Sequence, residues 1–408
     1  MRILVTLEEH LWRAHDGHIY GDGPAGYAAW SELLSSFGEV VLLSRVARDK
    51  ETSSEQIQVD GPSISIHELP DYTGPWEYLR RLTSLRIGVQ QAVAQCDVYL
   101  LRVPGLVSRL AWQEIRRAKG NYAVQVVGDA SDALSAGTIR SVFRPLYRYV
   151  ATRNLRKVCQ QSAAVLYCSK GSLQRRYPPS KDNLSVTSPW VILTQGYASS
   201  DLMTKRHLCI DEKAPSNGHP AQPFRFGFIG SFAQLYKGAD TLLRAASLCS
   251  KKGLEFRIFF VGEGRHRRAM QSLAADLSLQ QKAVFMGQLS FGKPIFDFLD
   301  SVDIFLMPSR AEAFGRALLE AMARGCPCIG SNVGGIPELL AADDLVPPND
   351  PEALARKIME VTADPERMKA MSARNLSRAK EFDPEVLRNT RLAFYQYVKD
   401  HSANARKI

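Results

Sequence analysis

Two carboxylates eight positions apart, Glu312 and Glu320, bracket the start of an apolar segment in PSRAEAFGRALLEAMARGCPCIGSNVGGIPEL, residues 308–339. The pattern predicts a helix over 315–324, with its first turn near Phe314 or Gly315. A helix start presents unpaired amide hydrogens and the positive end of its dipole. Such an end binds phosphate. Glu312 falls on the loop beside it, and Glu320 about one and a half turns inside. A carboxylate has two acceptor oxygens, which suit two neighbouring sugar hydroxyls. The spacing lets one glutamate meet a sugar beyond the phosphates and the other a ribose behind them. Taken alone, Glu-x7-Glu reads more simply as two solvated glutamates at a helix N-terminus, where acids are favoured anyway.

The surroundings change that balance. GSFAQLYKGADTLLRA, 230–245, gives a strand end, a loop and Lys237-Gly238 at a helix start. A lysine there neutralises a diphosphate leaving group. VGEGRH puts Gly262 and Gly264 between a strand and a helix, and NVGGIPEL puts Gly334 and Gly335 where backbone can approach a ligand closely.

Together these elements resemble the donor-binding domain of glycosyltransferase family 4, retaining sugar-nucleotide enzymes of GT-B fold, of a bacterial polysaccharide or glycolipid type. The matching run is Gly230, Lys237-Gly238, Val261-Gly262-Glu263-Gly264, Phe285-Met286-Gly287, Glu312-Ala313-Phe314-Gly315, Leu319-Glu320-Ala321-Met322-Ala323-Arg324-Gly325 and Gly334-Gly335-Ile336-Pro337-Glu338. It covers residues 224–362 strongly and the N-terminal half weakly. The resemblance implies that Lys237 neutralises the nucleotide diphosphate and that Glu320 holds the ribose hydroxyls. Glu312 and the backbone of Phe314, Gly315 and Arg316 would lie against the transferred sugar and its phosphate. Gly230, Ser231 and Gly262 join the donor site, and the loop at Gly287-Gln288 runs past the base. Where the family carries an arginine after the strand-end glycine, this chain has Ser231, so one of two cations on the diphosphate is missing. Arg316 or an arginine of the basic window described below would have to compensate.

The N-terminal half offers weaker candidates. GDGPAG, 21–26, matches Gly-x-Gly-x-x-Gly formally, but the strand before it ends about thirteen residues earlier and no acid follows at the dinucleotide spacing. Gly23 and Gly26 read either as a plain surface loop or, by the resemblance, as the glycine loop facing the donor phosphates. VVGDASD, 126–132, puts Gly128 and Asp129 after a strand, as a candidate acceptor contact. His10 and His18 read as structural.

Strands predicted at 2–7, 39–43, 97–101, 122–127 and 163–167 alternate with helices such as 27–37 and 108–118. A second series has strands at 224–229, 256–261, 284–286, 303–307 and 327–330, with helices at 239–250, 265–277 and 315–324. Such alternation predicts α/β domains with parallel sheets. The fold class read is GT-B, two Rossmann-like doubly wound domains facing each other across a cleft. The expected boundaries are an acceptor-binding domain over 1–200, a linker over 201–223, a nucleotide-sugar domain over 224–380, and a C-terminal helix over 381–408 that crosses back to the first domain. Asp383 is placed as its N-cap, with Pro384 at the first helical position.

The 408 residues carry a net charge of +10, unevenly spread. From Ala133 to Lys181 there is no acid, but Arg140, Arg144, Arg148, Arg153, Arg156, Lys157, Lys170, Arg175, Arg176 and Lys181 are present. The arginines at 140, 144 and 148, beside Phe143, Leu146, Tyr147 and Val150, resemble an interfacial amphipathic helix, kinked or started late by Pro145. A solvated basic helix fits equally. The expected partner of 140–181 is an anionic membrane surface; no nucleic-acid motif accompanies the charge. Seven irregularly spaced cysteines give no disulfide or zinc framework. The opening MRILVTLEEHLW is too short and acidic for a signal peptide, and no apolar run spans a bilayer. The chain reads as cytoplasmic and peripheral on the membrane.

The function expected is retaining transfer of a sugar, UDP-linked, to a hydroxyl of a saccharide or lipid-linked acceptor. The resemblance implies no protein nucleophile, no cofactor and no required metal. The alternatives are a GT-B epimerase or phosphorylase, or a non-catalytic sugar-nucleotide-binding or membrane adaptor protein, which Ser231 would favour.

Overall fold

Runs of Val, Leu, Ile and Phe without a polar face make central parallel strands, because helices cover both faces of such a sheet. The computed structural model, which describes residues 1–21, 26–48, 56–133, 143–190, 193, 196–213 and 222–404, holds two such sheets. The chain divides into two units. The first comprises Met1–Ala130, Tyr149–Pro189 and Leu387–Ile408, the second Ser131–Arg148 and Trp190–Val386.

The first unit's strands are β1 (Arg2–Arg13), β2 (Ile19–Gly21), β3 (Glu39–Arg48), β4 (Ile57–Gln58), β5 (Ile64–Pro70), β6 (Val98–Val103), β7 (Ala123–Val126), β8 (Ala164–Tyr167) and β9 (Leu184–Thr187). Between them lie α1 (Tyr27–Ser31), α2 (Gly74–Ala94), α3 (Leu106–Arg117), α4 (Ala130–Ala133), α5 (Arg144–Gln160) and α6 (Ser172–Arg176). Seven strands run parallel in the order β5-β3-β1-β6-β7-β8-β9, and β2 with β4 extends the far half of β1 antiparallel. Leu4 stands opposite Val41 on one side and Tyr99 on the other. Ile3, Leu4, Val5, Val40, Leu42, Val98, Val124 and Val165 are buried. The strand order reverses between β1 and β6, as in a doubly wound sheet. Pro145 falls in the first turn of α5, where a missing N–H is tolerated; the helix starts late rather than kinking.

From Trp190 onward the second unit comprises α7 (Ser200–Glu212), β10 (Phe224–Ile229), α8 (Ala239–Lys251), β11 (Phe256–Val261), α9 (Arg267–Asp276), β12 (Ala283–Gly287), α10 (Lys293–Asp300), β13 (Ile304–Met307), α11 (Arg316–Ala323), β14 (Cys328–Ser331), α12 (Ile336–Leu339), β15 (Leu345–Val346), α13 (Pro351–Thr362) and α14 (Pro365–Lys380). Its strands are all parallel in the order β12-β11-β10-β13-β14-β15. The order reverses between β10 and β13, so the loops leaving those two strands diverge and open a crevice. Phe226 stacks on Phe256 at 5.3 Å and Phe260 on Phe285 at 4.9 Å, giving this sheet an aromatic centre.

The linker expected over 201–223 needs correcting at its start. Residues 201–212 are helical: Ser199 caps α7, its Oγ accepting from Leu202 N at 3.2 Å. Arg206 of α7 donates to the carbonyls of Val302 (2.6 Å) and Leu299 (3.1 Å), and Lys213 forms a buried ion pair with Asp303. These bonds make the helix part of the second unit.

The last helix, α15 (Pro384–Asn404), begins as expected: Asp383 Oδ1 accepts from the amides of Glu385 and Val386 at 2.9 and 3.1 Å. From Leu387 onward it belongs to the first unit, where Arg391 pairs with Glu32 at 3.0 Å. Among the described residues no helix is long and apolar enough to cross a membrane.

Candidate functional site

The crevice of the second unit is built from three β–α loops packed backbone to backbone. After β10, Gly230 leads through Ser231 and Phe232 to a short 3₁₀ turn, Leu235–Lys237. Gly238 then opens α8 with φ +77°; a Cβ there would sit 2.0 Å from the carbonyl oxygen of Pro308. Only glycine allows so close an approach, and it brings Lys237 beside the loop that leaves β13.

That second loop, Pro308 to Gly315, carries Glu312. Lys237 Nζ donates to Glu312 Oε2 at 2.6 Å, with both side chains largely buried. Burial alone would lower the lysine's pKa; the attraction and hydrogen bond of Glu312 outweigh it and hold the pKa above its ordinary value. The Gly-Gly step seats this loop. Gly335 N donates to Glu312 O at 3.1 Å, and a Cβ on Gly334, at φ +53°, would lie 1.6 Å from that same oxygen. The paired glycine at the end of the opening motif is thus the bed on which Glu312 rests.

Arg310 carried no sequence signal for the role it has. Its Nη1 donates to Leu235 O at 2.6 Å and its Nη2 to Asp240 Oδ2 at 2.7 Å, while its own amide donates to Tyr236 O at 2.7 Å. This one residue staples the Glu312 loop to the Lys237 turn. Its partners in that turn and the start of α8 lie about seventy positions away in sequence, and two of them are backbone carbonyls, which no residue pattern marks.

Gly315, at φ +101°, is the residue before α11, so the helix starts where the sequence predicted. Phe314 is buried with its ring against Phe382, 5.5 Å between ring centroids. Arg316 is exposed and lies over Phe291 at 5.5 Å. Its Nε is 3.9 Å from Glu320 Oε1. Burial raises the Glu320 carboxyl to about 7, and Arg316 only partly offsets this.

The third loop, Gly262 to His266, locks onto the first. Phe232 N donates to Glu263 O at 2.8 Å and His266 N to Phe232 O at 3.0 Å. A Cβ on Gly262 would meet Gly230 O at 2.1 Å. Gly262 N also donates to Gly287 O at 2.7 Å, so Gly287 joins the same stack, and Gln288 after it is exposed. Ser231 is exposed, its Oγ accepting from Ala233 N at 3.1 Å. It shapes the loop and adds no charge.

The structure therefore brings Gly230, Ser231, Lys237, Gly262, Gly287, Glu312, Gly315, Arg316 and Glu320 to the strand ends of one sheet. The candidates of the first unit are engaged otherwise. Asp129 is buried, accepting from Tyr177 Oη at 2.5 Å and from Arg176 Nη1. Gly128 packs beside Pro104, and Gly26 is buried where a Cβ would strike Ile57. His10 and His18 hydrogen-bond to Asp71 and Asp60. Gly23 and Arg140 lie outside the described residues.

The family model of glycosyl transferases group 1 matches residues 210–378, which covers the whole crevice. The match falls within the second unit. Over a longer stretch, 81% of the chain is 22% identical to Protein CapJ of Staphylococcus aureus, across 78% of that protein. N-acetyl-alpha-D-glucosaminyl L-malate synthase of Bacillus anthracis is 27% identical over 42% of the chain and 45% of its own length. A GDP-mannose-dependent monoacylated alpha-(1-6)-phosphatidylinositol monomannoside mannosyltransferase of Corynebacterium glutamicum is 33% identical over 34% of the chain and 38% of its own length. Two solved structures share the fold end to end. Sucrose-phosphate synthase from Thermosynechococcus elongatus superposes with a TM-score of 0.69 at 19% identity, covering 97% of this chain and 98% of that one. HepE from Anabaena, solved with UDP and glucose, gives 0.65 at 16% identity, covering 96% and 98%. The fold of this chain is GT-B, with two Rossmann-like units.

Proposed function

We propose that the chain transfers a sugar from a nucleotide sugar, UDP-linked, to a hydroxyl of a saccharide or lipid-linked acceptor, with retention at the anomeric carbon. The observation that carries this reading is the Lys237–Glu312 pair beside the open N-terminus of α11. A diphosphate placed there gains the ammonium of Lys237 and the first amides of α11. Glu312 then turns to the hydroxyls of the sugar, and Glu320 to those of the ribose. As the bond from C1 to the β-phosphate oxygen breaks, its electrons stay on that oxygen and Lys237 neutralises them. The acceptor oxygen bonds to C1 and its proton leaves with the diphosphate. UDP as donor nucleotide draws support from HepE, whose structure holds UDP and glucose, while the mannosyltransferase relative is named for GDP-mannose.

The N-terminal domain, residues 1–200, is proposed to bind the acceptor. The basic segment 140–181 is proposed to meet an anionic membrane. In its described part Phe143, Leu146, Tyr147 and Tyr149 are exposed at 50–61% beside Arg144 and Arg148. Ser231 keeps a rival in play, a protein that binds a nucleotide sugar without turning it over.

The test is thermal-shift screening against UDP, GDP and their sugars, followed by turnover of the best ligand with lipid and saccharide acceptors. Stabilisation by a nucleotide sugar, with transfer lost in Lys237→Ala, supports the reading. Stabilisation without turnover across the acceptor panel favours the rival, and no stabilisation by any nucleotide removes both.

A further inference from the structure

α2 is apolar on two opposite faces. Leu85, Val89, Ala92 and Val93 are buried against the sheet. Trp76, Leu79, Thr83 and Ile87, spaced by three, four and four, share the face pointing away from it. On that face Trp76 is 78% exposed, Leu79 56% and Ile87 52%. Core packing accounts for the first set and not for the second. Arg80 and Arg86 flank the outer ridge on either side, and both are exposed.

Beside this ridge lies a charged depression. α2 packs on α3, since both helices cross over in the same sense between parallel strands and fall on one face of the sheet. Arg86 of α2 with Gln113, Arg116 and Arg117 of α3 lines an open hollow of about 400 Å³. Arg117 is paired with Glu114, and Arg116 lies over the ring of Trp112 at 5.0 Å. Among the described residues no carboxylate lies within ion-pair distance of Arg86 or Arg116. Two guanidinium charges are therefore unbalanced at the wall of the hollow. The one acid in the first turn of α2, Glu77, is turned to the amide of Thr73, accepting at 2.7 Å.

We infer that this face is a membrane-docking surface: Arg86, Arg116 and Arg117 with Gln113 hold the phosphate of an anionic lipid headgroup, while Trp76, Leu79 and Ile87 enter the interface between headgroups and acyl chains. Guanidinium groups recognise phosphate through paired N–H donors, and an amide donor completes the set. A free phosphate would use the hollow and leave the ridge unexplained. Nucleic acid would use the charge and Trp76 but gain nothing from Leu79 and Ile87. A second copy of the chain would bring arginine against arginine. An anionic bilayer uses all of these groups at once. The inference deepens the membrane reading given above by naming a surface separate from α5. It does not rest on the donor site.

The experiment is co-sedimentation of the full chain with phosphatidylcholine vesicles, with and without phosphatidylglycerol. Wild type is expected to pellet only with the anionic vesicles, with a blue shift in tryptophan emission that Trp76→Phe removes. The triple variant R86E/R116E/R117E is expected to lose at least about 100-fold in partitioning, from roughly a fivefold loss per charge removed. Trp76→Ser is expected to weaken it independently. Circular dichroism and the nucleotide thermal shift verify that each variant is folded, and neither lipid readout requires turnover. Equal binding to neutral vesicles would overturn the inference, as would full binding by the folded triple variant. Loss confined to Arg144→Ala/Arg153→Ala on α5 would assign the membrane contact to that helix and overturn it too. Competition by inorganic phosphate equal to that by anionic vesicles, or charge-dependent binding of a single-stranded oligonucleotide with no lipid binding, would replace the lipid by a soluble anion or a nucleic acid.

Discussion

Lys237 and Glu312 neutralise each other across 2.6 Å, so a diphosphate reaches the ammonium only by displacing a carboxylate. The two residues should therefore answer differently to substitution. On the proposed reading, Lys237→Ala removes the leaving-group cation and lowers kcat/KM by about 10²–10³-fold. Glu312→Gln removes the competitor for the lysine while losing the sugar contact. It should bind UDP alone about tenfold more tightly and still transfer poorly. Calorimetric titration with UDP against turnover of the same variant checks this; weaker UDP binding in Glu312→Gln would refute the displacement argument. Glu320 gives a separate prediction. Its folded pKa of about 7 lies above the ordinary carboxylate value because burial disfavours the charge. Stability from this group is present below the ordinary value and is lost as pH rises through about 7. Ribose binding should run the other way, since the ionised carboxylate accepts from both hydroxyls and the acid from fewer. UDP affinity is expected to rise through neutral pH, and Glu320→Gln to flatten that profile.

The element that presents Glu312 is a loop held by glycine and by Arg310. Gly334 has φ +53° and faces the Glu312 carbonyl, whereas Gly253 has φ +84° and open space, with nothing within 4 Å of where a Cβ would stand. Gly253→Ala should cost only the left-handed backbone term, about 1 kcal/mol. Gly334→Ala adds a clash with backbone that cannot move away, so a loss of at least about 3 kcal/mol and of nucleotide binding is expected. Paired urea titrations measure the difference; equal midpoints would show that the loop is not seated on Gly334. Which elements the sequence disclosed follows the same physics. β10 and β11 were legible to the residue, because apart from one arginine each, Arg225 and Arg257, they are apolar and largely buried. α2 was missed, because Trp76, Leu79 and Ile87 on its outer face erase the one-sided periodicity that marks a helix. α7 was missed because a Pro- and Gly-rich stretch follows it, though Ser199 signalled its cap. The motif glycines and both glutamates were legible, but the contact between Lys237 and Glu312 spans 75 positions, and only the fold brings it about.

At the scale of the whole chain, each unit has its own sheet, and among the described residues no strand is shared between the two. The covalent path crosses the division four times, near residues 130, 148, 189 and 386. The first unit is completed by the last helix, whose Arg391 forms a buried pair with Glu32, 359 positions earlier. The second is completed by α7, through Arg206 and the Lys213–Asp303 pair. Separate cores with separate closures favour separate unfolding, because cooperativity follows shared buried contacts. Scanning calorimetry should resolve two transitions. UDP, whose proposed contacts lie in the second unit alone, should raise one of them, by about 2.7 kcal/mol of stability at a hundredfold excess over Kd. Arg391→Ala leaves Glu32 without its cation and should lower the other. A single transition that moves with UDP and with Arg391→Ala alike would mean that the two cores melt as one, and the division into independently stabilised units would fail.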